Sequence, residues 1–217
     1  RTYQLASVDN DSNLAADPTN RWHWRYSRRA LDAESIRDAM LAFSGRLDRN
    51  VPQSHPFPNV NTWGFTIHNP FHAVYESNHR SVYLMVQRNR RHPYLALFDA
   101  ADPNQSVASR QPTTTPTQAL FLMNSPFVHE QASGIADRIL ALSGDDRAKV
   151  IWAFETVQGQ IPADSIIEES IAFVLKYREK IAHKKVNNER DINAGDKAVW
   201  SAFARVLVTS NAFLFVD

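Results

Sequence analysis

Eight histidines and no cysteine set the chemistry open to this chain of 217 residues. Without thiols the segment holds no disulfide, no thiolate nucleophile or metal ligand, and no CxxCH attachment for haem. Imidazole ligation is left, and His68 and His72 stand four apart, the interval that puts two ligands on one helical face. Pro70 lies between them and breaks that helix, and no HExxH run occurs, so no metal is expected there. His129 and Glu130 are adjacent, and neighbouring positions on a helix point in different directions, so they do not make a ready acid/base pair. Six glycines, none clustered, leave no phosphate-cradling loop, and neither a GxSxG elbow nor a kinase set is present. For glycoside hydrolysis, carboxylates such as Asp99, Asp102 and Glu130 would have to stand roughly 5 to 9 Å apart across a cleft. Sequence alone does not fix that separation. The chain has candidates for chemistry without a constellation, and no cofactor is expected within it.

The elements that would position such residues centre on TTTPTQALFLMNSPFVHEQ, residues 113–131. Thr115 followed by Pro116 reads as an N-cap hydroxyl with proline at the first helical position, where the missing N–H would be unpaired in any helix. A helix is expected from Pro116. Ala119, Leu120, Leu122 and Met123 give it an apolar face, and Phe121 makes the run nearly continuous, the pattern of a core helix buried on more than one side. Ser125 and Pro126 repeat the entry signal, and Phe127, Val128, Ile135, Ile139, Leu140 and Leu142 keep a period near 3.6 until Gly144. Two helices should meet at a corner at Asn124, whose side chain is placed to satisfy free backbone groups.

Around that elbow, residues 1–16 read as an arm, and Asp17 with Pro18 should start a helix carrying Arg21, Trp22, Trp24, Arg25 and Tyr26. Interleaved arginine and aromatic residues suit base stacking. The net charge of +1 supplies no bulk attraction for nucleic acid, however, and a helix whose tryptophans dock while its arginines stay wet explains the pattern. The first 92 residues carry +4 and the rest −3, an asymmetry that a solvated surface accounts for. Asp32 should cap a helix ended by Gly45, with Glu34, Arg37 and Asp38 within reach of Arg28 or Arg29.

Residues 50–78 read as a long proline-rich loop, and Thr62–Ile67 and Arg80–Gln87 as two short strands that pair. His92 and Pro93 open a short helix closed by the DAADPNQS turn. Further helices are expected from Asp145 to Gly159, from Asp164 with Ile167, Ile171, Val174, Leu175 and Ile181 inward, and from Asp196 with Val199, Phe203, Val206 and Leu207 inward. Residues 183–196 between the last two read as an exposed loop. The expected fold is mainly α, a single multi-helix globular domain over residues 1–217 with a small two-stranded β element around residues 62–88. No apolar run approaches the roughly 20 residues of a membrane-spanning helix. The chain begins at Arg1 and reads as a fragment of a longer multidomain polypeptide, with any targeting signal upstream.

Four blocks in order, RRALDAESIRDAMLAFSGRLD, RSVYLMVQRNRRHPYLALFDAADPNQS, TTTPTQALFLMNSPFVHEQA and VWSAFARVLVTSNAFLFVD, resemble the uncharacterised C-terminal module of large planctomycete-type exported proteins. The resemblance runs from about Asp17 to the end of the chain. In such proteins the module follows a cytochrome-c-like module, a second helical module and sometimes a lectin-like sandwich. What the resemblance implies is an exported, periplasmic or cell-surface context. Neighbouring domains of the same polypeptide are then the expected partners, with polysaccharide as a further one. It brings no known activity. Matching the family's turns, it singles out Arg37, Asp38, Arg80, Arg88, Asn104, Thr115, Gln118 and Asn124 as binding candidates. The leading expectation is a non-catalytic structural and interaction module. The alternative is a carbohydrate-active or redox-coupled enzyme domain acting with haem-bearing and lectin-like neighbours. Convergence of Arg80, Arg88, Asn104 and Gln118 on a deep pocket would favour the second. Capping and pairing within the fold would favour the first.

Overall fold

The computed structural model describes residues 4–52, 74–88, 90–106, 108–185 and 192–216. Along the chain the helices are Asp11–Ala16 (α1), Ala33–Phe43 (α2), Pro93–Leu97 (α3), Pro116–Asn124 (α4), Pro126–Leu140 (α5), Asp146–Gln158 (α6), Asp164–Lys185 (α7), Ile192–Val208 (α8) and Asn211–Leu214 (α9). Their starts have local causes. Thr115 and Gln118 form a reciprocal capping box in front of Pro116, and the Asp145 side chain accepts the Ala148 amide at 2.9 Å. Gly159 ends α6 in the left-handed region at φ 72°, a conformation that glycine adopts without a Cβ penalty.

The core is built where α5 crosses α8. Val128, Ile135 and Ile139 from α5 meet Val199, Trp200 and Val208 from α8, all of them fully buried. α6 and α7 cover this pair through Val150, Ala153, Ile167 and Val174, and α2 closes the other side through Ile36 and Met40. α2 and α5 approach closely at Gly134, where a Cβ would stand 2.8 Å from the Ser44 Cβ. Gln131 is buried one turn earlier, its amide oxygen accepting the Ser44 hydroxyl at 2.7 Å. The fold is thus a multi-helix domain with one small antiparallel sheet among the described residues.

That sheet is not where the sequence places it. Arg29–Ala30 (β1) pairs with Phe215–Val216 (β2), in the register Arg29↔Val216 and Ala30↔Phe215, tying the segment before α2 to the one after α9. Arg80–Gln87 instead begins with a 3-10 turn at Ser81–Tyr83, because the Ser81 amide and hydroxyl are both held by Asp38, at 2.8 and 2.6 Å. Thr62–Ile67 lies outside the described residues, as do His68 and His72 and most of the proline-rich loop.

Other local corrections have similar causes. Asp17 ends α1 instead of starting a helix. Its carboxylate accepts the Trp22 amide at 2.8 Å, and the Asn20 side chain ties Arg25 and Ser27 into a turn, the competition that short polar side chains offer to helical bonding. Glu34 pairs with Arg110 instead of Arg28 or Arg29, through bonds of 2.6 and 2.9 Å. α4 buries only Leu122, leaving Leu120 and Met123 56% and 63% exposed, so it is a surface helix. Leu175 and Val206 also face outward. α7 runs to Lys185 and α8 starts at Ile192, so both ends of the expected 183–196 loop are helical, and residues 186–191 lie outside the described residues.

Candidate functional site

The corner between α4 and α5 opens on a cavity of about 620 Å³, within the ~300–1,000 Å³ range of small-molecule sites. One wall is aromatic. Pro93 at the head of α3 sets Tyr94 into the interior, where its ring lies 5.0 Å from Phe98, 5.5 Å from Phe121 and 6.5 Å from Phe127. The Tyr94 hydroxyl donates to the Ala33 carbonyl at 2.7 Å, and burial holds its ionisation far above the ordinary tyrosine range, so it stays a neutral strut.

The opposite wall is the segment 74–78, and Arg37 of α2 holds it. The guanidinium donates to the His79 carbonyl at 2.9 Å, to the Ser81 hydroxyl at 3.2 Å and to the Ser77 carbonyl. Asp38 stands 3.6 Å from it and takes Ser81 from the other side. Burial lowers the Arg37 pKa from its usual value while the Asp38 carboxylate opposes the shift, and an arginine keeps its proton regardless. These two candidates form a clamp that spans 40 to 44 positions of sequence.

The remaining candidates fall elsewhere. Arg80 and Arg88 are exposed. Asn104 donates to the Arg88 carbonyl at 2.8 Å, closing the turn between them. Thr115 and Gln118 cap α4, and the Gln118 amide also reaches the Leu97 carbonyl at 2.9 Å. They border a second, largely apolar cavity of about 370 Å³ against Leu214 and Phe215. Asn124 donates to the Leu120 carbonyl at 3.0 Å, the backbone role expected of it. Arg80, Arg88, Asn104 and Gln118 do not meet in one pocket, and among the described residues no cluster of histidine and carboxylates has the form of a metal site.

Beyond Arg37 and Glu130, the polar lining of the larger cavity comes from residues the sequence does not nominate. Ser125, read only as a cap, is 8% exposed and makes no capping bond to α5. It lines the cavity, and its hydroxyl has no protein partner among the described residues. His92 also lines the cavity, with a buried, unbonded Nδ1. Burial, and then the Arg37 charge, lower its pKa, so it is neutral at pH 7. Glu130 lies on the rim in an ion pair with Arg46. Periodicity could not select these positions, because their neighbours come from four separate stretches of chain. The available signal was the density of aromatic residues around the elbow.

A family model described as PSD1, protein of unknown function (DUF1553), matches residues 1–174. No curated protein and no solved structure matches the chain. Because that match spans the clamp, the cavity and most of the core, this chain belongs to the PSD1 family of proteins of unknown function.

Proposed function

We propose that this chain is a non-catalytic structural and interaction module of a multidomain exported protein of the cell envelope, packing against neighbouring domains of its own polypeptide. The observation that carries the proposal is the Arg37–Asp38 clamp. The candidate residues best suited to polar chemistry have their hydrogen bonds directed to the chain's own backbone and to Ser81. A second support is the outer face of α4, where Leu120 and Met123 leave apolar surface on a rigid, doubly capped element. A neighbouring domain is the partner that such a face suits in a multidomain chain. In the planctomycete-type setting that neighbour carries haem, and electron transfer belongs to it while this module supplies support.

The test is hydroxyl-radical footprinting of the intact parent polypeptide beside the 217-residue chain. Strong protection of Leu120 and Met123 in the parent is the expected result. Equal labelling in both would remove the docking proposal.

A further inference from the structure

We propose that the cavity at the α4–α5 corner binds a neutral carbohydrate, one ring of which stacks on Phe121 and Phe127 while its hydroxyls bond to Ser125 and the acidic rim. This is a ligand site distinct from the outward face of α4, and it does not depend on domain docking.

The lining selects the ligand by exclusion of charge. An anion is suggested by the start of α5, where the Ser125 hydroxyl and the first-turn amides of Phe127 and Val128 have no acceptor or donor partner among the described residues. It is opposed by Glu76 and Glu130, whose carboxylates line the same space. A cation is suited by those carboxylates and the aromatic wall, but Arg37 lies in the cavity lining with its guanidinium 5.9 Å from the Phe127 ring centre. Arg37 is met by Asp38 and Glu130 by Arg46 within the protein, and Glu76, which has no such partner among the described residues, is exposed to water that screens it. A net-neutral guest therefore incurs the smallest electrostatic penalty.

What remains to be matched is an apolar aromatic wall beside hydrogen-bonding groups of both senses. Phe121, Phe127 and Tyr94 form the wall, with Pro93 and Pro126 at its edges. Ser125 both donates and accepts, and the carboxylates accept. A pyranose has this dual character, with C–H groups on one face and hydroxyls around its edge. An apolar ligand would leave Ser125 unpaired at nine-tenths burial, which costs free energy. The cavity of about 620 Å³ accommodates a short oligosaccharide.

The experiment titrates the 217-residue chain with cellobiose, maltose and chitobiose, and separately with sodium sulfate, following backbone amide resonances by NMR. The expected result is saturable shifts of Ser125, Phe127 and Glu76 with at least one disaccharide and none with sulfate. Ser125→Ala should weaken that affinity roughly fivefold, the loss of one neutral hydrogen bond, with an unchanged melting temperature because no cap is lost. Phe127→Leu, which keeps apolar volume and removes the aromatic face, should weaken it by a similar factor. Shifts with sulfate alone, no shifts with any sugar up to tens of millimolar, or sugar affinity indifferent to both substitutions would each overturn the proposal.

Discussion

Where α5 crosses α8, the two helices meet through Val128, Ile135 and Ile139 against Val199, Trp200 and Val208, an interface of apolar side chains at helical spacing. Where α2 meets the segment 77–81, the contact is Arg37 and Asp38 reaching backbone carbonyls, an amide and one serine. The first region gains stability in proportion to buried area and tolerates small shifts of geometry. The second depends on a few directional bonds whose partners would otherwise be buried and unpaired. The difference teaches which part of the molecule can be altered gradually and which fails when one atom is removed.

The largest effect should come from emptying the apolar interface. Trp200 is fully buried and packs edge-on against Phe203 at 5.7 Å, so Trp200→Ala should cost about 4 kcal/mol in urea denaturation. Its Nε1 has no hydrogen-bond partner, and Trp200→Phe removes that unpaired donor, so its cost should stay below about 1.5 kcal/mol. Equal costs for the two substitutions would mean that the indole nitrogen contributes, contrary to the apolar account of this interface.

Arg37→Met keeps the aliphatic stem and deletes the clamp's donors. The expected loss is about 3 kcal/mol, because two carbonyls lose their donor and the Asp38 charge its counter-ion together, while Ser81 keeps its bonds to Asp38. Hydrogen exchange should accelerate at residues 79–84 while α5 and α8 keep their protection. Uniform acceleration throughout would show that clamp and core unfold as one unit, and the comparison between the regions would fail.

A third substitution tests the two helix entries at the elbow, which the sequence presents as the same signal. Thr115 accepts the Gln118 amide and Gln118 answers it, whereas Ser125 makes no such bond. Thr115→Ala should therefore cost about 1 kcal/mol, measured by thermal unfolding. Ser125→Ala should leave the midpoint unchanged. A comparable loss at Ser125 would return its hydroxyl to a capping role.

The same contrast explains what could be read from the sequence. The starts of α4, α5 and α6 follow from Thr115-Pro116, Ser125-Pro126 and Asp145, and their buried faces follow from spacing, because both depend on residues within a few positions of each other. The clamp pairs Arg37 with Ser77 across 40 positions, and nothing in either neighbourhood marks the other. β1 and β2 are two residues each, too short to show alternation, so the pattern points instead to Arg80–Gln87, where β-branched and aromatic residues are denser. The apolar run of α4 reads as a core helix because composition counts apolar residues and does not tell which face is covered. The cavity residues Ser125, His92 and Glu76 likewise gain their relation only when the elbow folds α3 and the 74–78 segment against it.

The smallest predicted effect is a pH dependence at the junction of the two regions. Burial is the first cause of the lowered His92 pKa, and the Arg37 charge adds to it. Unfolding releases both constraints and returns the imidazole to its ordinary value near 6.5. Between that value and the lower folded one, the unfolded chain binds a proton that the folded chain refuses. The contribution to stability is therefore fully present above about pH 6.5, declines as pH falls toward the folded pKa, and changes no further below it. An NMR titration of the His92 Hε1 resonance should show a midpoint below 6.5, and His92→Gln should flatten the stability profile in that window alone. The Arg37→Met chain should move the midpoint back upward, since one of the two causes is then gone. If the midpoint stayed in place, burial by the aromatic wall would be its sole cause, and the clamp would be electrically silent toward the cavity it borders.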